Sequence, residues 1–105
     1  MPAVTPTIPP NRDTALVKVL TSVPGRLAII DYMRSTTDGA YFSEIAEGAG
    51  IPEGSISSHL RPLEEYGAIE GDIPQNKRHG RSVKYRVNLD RIKEAFDNTR
   101  DQFIN

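Results

Sequence analysis

Along GSISSHLRPLEEYGAIE, residues 54–70, apolar side chains return at intervals of three and four. At about 100° per residue, Ile56, Leu60 and Leu63 fall within a narrow arc, which predicts one core-facing helix stripe. Pro52 suits the first turn of this helix, and Gly67 suits its C-terminal end. Just upstream, SEIAEGAG predicts a short helix with Ser43 as N-cap. Its stripe is Ile45, Ala46 and Ala49, and Gly48 and Gly50 break it. ALVKVL, capped by Asn11 or Asp13, predicts a helix that ends near Ser22. RLAIIDYMRS, with Pro24 in its first turn, predicts another, with Leu27, Ile30 and Met33 on one face.

Two short helices joined by a glycine-bearing turn, as in residues 43–67, make a helix-turn-helix arrangement. Beyond Gly67 the period changes to two. In SVKYRVNL, Val83, Tyr85 and Val87 lie on one side, and Ser82, Lys84 and Arg86 on the other. With AIEGDI this predicts two strands, and PQNKRHGR between them is the loop of a β-hairpin. LDRIKEAFDNTRDQFIN is helical again, with Leu89, Ile92, Phe96, Thr99 and Phe103 near one face. The fold class is therefore mainly α with a small β-hairpin (α+β), in the order α-α-α-α-β-β-α. Residues 1–10 contain four prolines and are expected to form an extended, poorly ordered arm. Residues 11–105 form one domain, closed by a terminal helix over about 89–104.

Charge changes the picture more than composition does. The net charge is -1, but residues 38–72 hold eight acids and one base, Arg61. Residues 73–86 hold five bases (Lys77, Arg78, Arg81, Lys84, Arg86) and no acid. A polyanion would meet that second block first. The chain has no cysteine, which excludes disulfides and thiolate metal sites and suits a cytoplasmic protein. The start MPAVTPTIPP has neither a basic opening nor an apolar run, so no secretory signal and no membrane association are expected. Neither a nucleophile elbow nor a phosphate-cradling glycine loop is present, so no enzyme activity and no cofactor are expected.

The outer face of the 52–66 helix carries Gly54, Ser58, Arg61 and Glu65, flanked by Ser55, Ser57 and Pro62. It is short-sided and hydroxyl-rich. Such a face lets a helix backbone approach base edges and phosphates in a major groove. Pro62 removes the bond to the Ser58 carbonyl, at a cost of about 3 kcal/mol in a helix interior. That carbonyl is expected to face water. His59, beside the core stripe, is expected to be half-buried and hydrogen-bonded.

RLAIIDYMRS, then FSEIAEGAGIPEGSISSHLRPLEEYGAIEGD, then GRSVKYRVN resembles the winged helix-turn-helix domain of ArsR/SmtB-type transcriptional regulators, over roughly Pro24 to Leu89. The resemblance implies a DNA-binding repressor of double-stranded, near-palindromic sites. It implies major-groove contacts from Glu53, Gly54, Ser55, Ser57, Ser58 and Arg61. Wing contacts would come from Lys77, Arg78, His79 and Arg81, with Lys84 beside them. The family's metal sensors use Cys, or His with carboxylates on the last helix. This chain lacks the former, and its Asp90, Glu94, Asp97 and Asp101 have no histidine among them, so no metal is expected. The family is usually a homodimer through its first and last helices. Leu16, Val19, Leu20, Val23, Ile92, Phe96, Phe103 and Ile104 are the apolar residues that would serve that interface; packing within one chain is the alternative. A winged-helix protein-interaction module and a plasmid or phage copy-control or excision factor stand beside the transcriptional reading.

Overall fold

The computed structural model of the chain describes residues 11–104, without the side chains of Phe103 and Ile104; the expected proline-rich arm lies outside the described residues. In chain order the elements are α1 (Arg12–Thr21), α2 (Arg26–Met33), β1 (Ala40–Tyr41), α3 (Phe42–Ala49), α4 (Glu53–Glu65), β2 (Ile69–Gly71), a 3-10 turn (Gln75–Lys77), β3 (Lys84–Val87) and α5 (Leu89–Ile104). The helices enclose one core, and a three-stranded antiparallel sheet of order β1-β3-β2 closes one side.

The N-terminal caps follow local chemistry. Asn11 accepts from the Thr14 amide at 2.8 Å and so starts α1. At α3 the expected Ser43 cap is not used. Ser43 lies inside the helix, and the Glu44 carboxylate accepts from the Tyr41 amide at 2.8 Å. Pro52 sits one position before the first residue of α4 rather than within it. β1 was not legible in the hydrophobic pattern, because two residues carry no period. Its pairing with β3, Ala40 opposite Tyr85 and Tyr41 opposite Lys84, makes β3 the central strand.

Gly48 and Gly50 have separate jobs. Gly50 takes φ 71° and turns the chain out of α3, its amide bonding back to the Ala46 and Glu47 carbonyls. Gly48 does not break the helix. The Tyr32 ring of α2 lies against it so closely that a Cβ there would come within 3.0 Å of three ring carbons. The tight seat between α2 and α3 depends on that missing side chain.

Leu16, Leu20, Ile29, Met33, Ile45, Ile56, Leu63 and Ile69 are the large residues that are fully buried. Leu16 and Leu20 therefore belong to the core of a single chain and not to a dimer surface. Leu27, expected in the core, is 56% exposed. The buried face of α2 is centred between Ile29 and Met33, roughly 140° around the helix from Leu27.

The rotation of α5 departs most from the apolar pattern. Its side toward α1 carries Arg91, Ala95 and Gln102, with Asn98 at the exposed edge. Arg91 bonds the Asp13 carboxylate and donates to the Tyr66 carbonyl at 3.1 Å. Asn98 donates to Asp13 at 2.6 Å, and Gln102 accepts from Thr14 at 3.0 Å. Ala95 is fully buried and Ile92 half-buried. Leu89 (45% exposed) and Phe96 (39%) turn outward. A polar clamp with one small residue sets the face toward α1, and of the larger apolar side chains Leu89 and Phe96 are left outside.

Candidate nucleic-acid interface

Ile56, Leu60 and Leu63 hold α4 to the core, which leaves Glu53, Gly54, Ser55, Ser57, Ser58 and Arg61 exposed on its outer side. Nothing lies within 4 Å of the place where a Gly54 side chain would stand, so packing does not demand glycine there. The bare backbone at Gly54 and the short serines leave the first two turns open to a partner. The Ser58 hydroxyl donates to the Ser55 carbonyl at 2.8 Å and keeps its lone pairs outward.

Pro62 is half-buried, and α4 continues through it to Glu65. The Ser58 carbonyl it frees does not rely on water. The Arg26 guanidinium of α2 donates to it at 3.4 Å, and also to the Val19 carbonyl at 3.1 Å and to His59 Nδ1 at 3.3 Å. Arg26 thus takes over the donor that proline lacks. His59 is half-buried in this contact. Burial first, and the Arg26 charge second, push its pKa below the ordinary histidine value, so the neutral, accepting ring is favoured.

In the wing, the segment between β2 and β3, Lys77, His79 and Arg81 are exposed. Arg78 is not available in the same way. Its guanidinium bonds both Glu64 oxygens, the first at 2.9 Å, and donates to the Ile73 carbonyl at 2.7 Å. It also lies 5.8 Å from the centre of the Tyr85 ring. The Glu64 hydrogen bond raises its already high pKa further, which keeps it charged. Arg78, expected among the wing cations, is thus committed to Glu64 in this structure. Lys84 stands on β3 beside β1, its ammonium 5.6 Å from the Tyr41 ring centre and away from the wing loop.

A cavity of about 300 Å³ separates α4 from the wing. Arg61 and Ser57 line it from the helix, Arg81 and Ser82 from the wing, and Leu60 and Tyr85 line it below. Among the described residues, neither the Arg61 nor the Arg81 side chain makes a hydrogen bond or an ion pair. The structure also brings in residues that sequence reasoning passed over. Tyr41 and Phe42, at the start of α3, are 42% and 44% exposed beside the wing. Two adjacent aromatics after a turn are a readable signal, but their exposure depends on β1. Arg26 and Glu64 carried no signal at all, since both act through partners far along the chain. Among the described residues no group of three or more His, Asp or Glu side chains is placed to hold a metal ion.

A family model described as a helix-turn-helix domain matches residues 20–72, just over half of the chain. A search of curated proteins gives no significant match. Solved structures share the fold. An ArsR family transcriptional regulator, RHA00566, superposes with a TM-score of 0.64 at 18% identity, covering 88% of this chain and 92% of its own. NolR from Sinorhizobium fredii gives 0.61 at 15% identity, over 95% and 97%. NadR in complex with 4-hydroxyphenylacetate gives 0.54 at 19% identity, over 98% and 82%.

Proposed function

The chain belongs to the helix-turn-helix domain family, and from that premise we propose that it is a sequence-specific, double-stranded DNA-binding transcriptional regulator that acts in the cytoplasm as a homodimeric repressor. The observation that carries this reading is the state of α4: its inner face is anchored by three buried aliphatics, while its outer face is short, hydroxylated and exposed. The fold shared with an ArsR family transcriptional regulator supports it.

In this reading the N-terminal turns of α4 enter the major groove. Ser55, Ser57 and Ser58 meet base edges or phosphates, Glu53 accepts from a cytosine amino group, and Arg61 holds the flanking backbone. Lys77, His79 and Arg81 lie along the backbone or the minor groove. Because α3 and α4 are rich in acids, the wing supplies most of the electrostatic grip. Leu89 and Phe96 on the outer face of α5, with the half-buried Val23, are apolar residues available for dimer contact among the described residues, whereas Val19 packs against the core. A two-fold pair would place its recognition helices about one DNA turn, roughly 34 Å, apart on a near-palindromic site. Occupation of that site excludes other proteins from it, which is repression.

Selection of bound duplexes from a random pool tests binding, specificity and spacing together. The expected product is a set of inverted half-sites. Retention of no duplex at low salt and micromolar protein would favour a protein partner, a reading to which the exposed acids Glu44, Glu47 and Glu53 would then belong.

A further inference from the structure

Arg78 sits in the middle of the most basic loop of the chain and points inward. Its side chain is 19% exposed and that of Glu64 is 16% exposed. The guanidinium meets the carboxylate as a two-pronged pair, one nitrogen to each oxygen. Its remaining contacts are the Ile73 carbonyl, just after β2, and the Tyr85 ring on β3. One side chain therefore joins the last turn of α4 to both legs of the wing. The Gln75 amide adds a bond to the same Glu64 oxygen at 3.3 Å. Gly71 makes the space: a Cβ there would overlap the Arg78 guanidinium and come within 2.8 Å of Val83. The pair also lines the cavity that Arg61 and Arg81 flank, so Arg78 neutralises the one carboxylate facing that cleft.

We propose that Arg78 is a positioning residue: paired with Glu64, it braces the wing against α4 so that Arg61 and Arg81 converge on one cleft and grip the same stretch of DNA backbone. This rests on the DNA-binding reading. A residue that binds phosphate directly and one that positions others differ in salt dependence, because each neutralised phosphate contributes about 0.9 to the slope of log K against log salt.

The test measures the affinity of the full chain for a selected duplex across a salt series, for wild type, R81A, R78A, R78A/R81A and the swap E64R/R78E. R81A is expected to flatten the slope by about 0.9. R78A is expected to weaken binding at least about tenfold, since it leaves Glu64 bare in the cleft and frees the wing, and to flatten the slope no more than R81A does, since any phosphate contact it loses is Arg81's. The swap keeps both charges and is expected to bind within about threefold of wild type. Circular dichroism checks folding, and the swap alone carries the test should R78A not fold. A slope flattened further in R78A/R81A than in R81A alone, or a swap that binds no better than R78A, overturns the proposal. Amide exchange of residues 73–82 reads the brace without DNA: exchange is expected to be faster in R78A and restored in the swap. Unchanged exchange overturns the brace, whereas a wild type that binds no duplex, with exchange behaving as expected, overturns only the DNA-binding reading.

Discussion

Replacing Gly48 with alanine sets two physical effects of opposite sign against each other. Gly48 has ordinary helical backbone angles, so alanine suits its conformation, and helix propensity alone predicts a gain of up to about 1 kcal/mol. Space predicts the reverse. The new methyl group would stand within 3.0 Å of Tyr32 Cγ, Cδ1 and Cε1, a separation that real Cβ atoms do not show. Either the ring swings out and loses its packing on α3, or α2 and α3 move apart. Overpacking of this kind costs about 1–3 kcal/mol, so the net expectation is a loss of up to about 2 kcal/mol. For a domain of this size each kcal/mol lowers the thermal midpoint by roughly 4–8 °C. Urea unfolding measures it directly, as a lower midpoint with an unchanged slope. A second measurement isolates the cause. With Tyr32→Ala in place the clash is gone, and Gly48→Ala should then be neutral or stabilising. A rise in stability when Gly48→Ala is made in the wild-type chain would refute the close-packing account, and so would an equal loss with and without the Tyr32 ring.

Pro62→Ala restores an amide that competes with Arg26 for the Ser58 carbonyl. It should stabilise the fold by about 1 kcal/mol, less than the full interior-proline cost because Arg26 already serves that carbonyl. DNA affinity should stay nearly unchanged, and a large loss in a binding titration would place Pro62 in the interface. The Asp13 carboxyl is held below its ordinary value of 3.8, first by Asn98 and then by Arg91. Its contribution is complete above the unfolded value and is lost as pH falls through the lower folded one. Asp13→Asn should therefore flatten the acid limb of stability against pH, measured by urea midpoints from neutral pH down into the acid transition. The double change Leu89→Glu with Phe96→Glu alters exposed positions and should leave the monomer folded while abolishing any dimer in sedimentation. A dimer that persists would move the interface elsewhere.

Much of the chain was legible before folding. The three aliphatics of α4, the glycine-bearing turn before it and the later switch to period two announced a helix-turn-helix followed by strands. The run of unopposed bases in residues 73–86 located the wing. These are local signals, because a helix stripe or a charge block is complete within a dozen residues. The outer face of α4 followed from the same wheel, since burying Ile56, Leu60 and Leu63 turns the serines outward.

What stayed hidden depends on partners distant in sequence. The face of α5 was read from its large apolar residues, but Asp13, nearly eighty residues before Arg91, rotates the helix so that Leu89 and Phe96 point out. Leu16 and Leu20 went to the core because α2, α4 and α5 all close on α1. β1 exists only because β3 offers it a ladder. Arg78 looked like its neighbours Lys77 and Arg81 until the fold placed Glu64 beneath it. Hydrophobic period and charge therefore determined which elements form and which surface is basic, because burying or exposing a side chain depends first on its own chemistry. Tertiary structure alone decided which cations remain free and which apolar residues stay outside, because a hydrogen bond or ion pair needs a second group that local sequence does not contain.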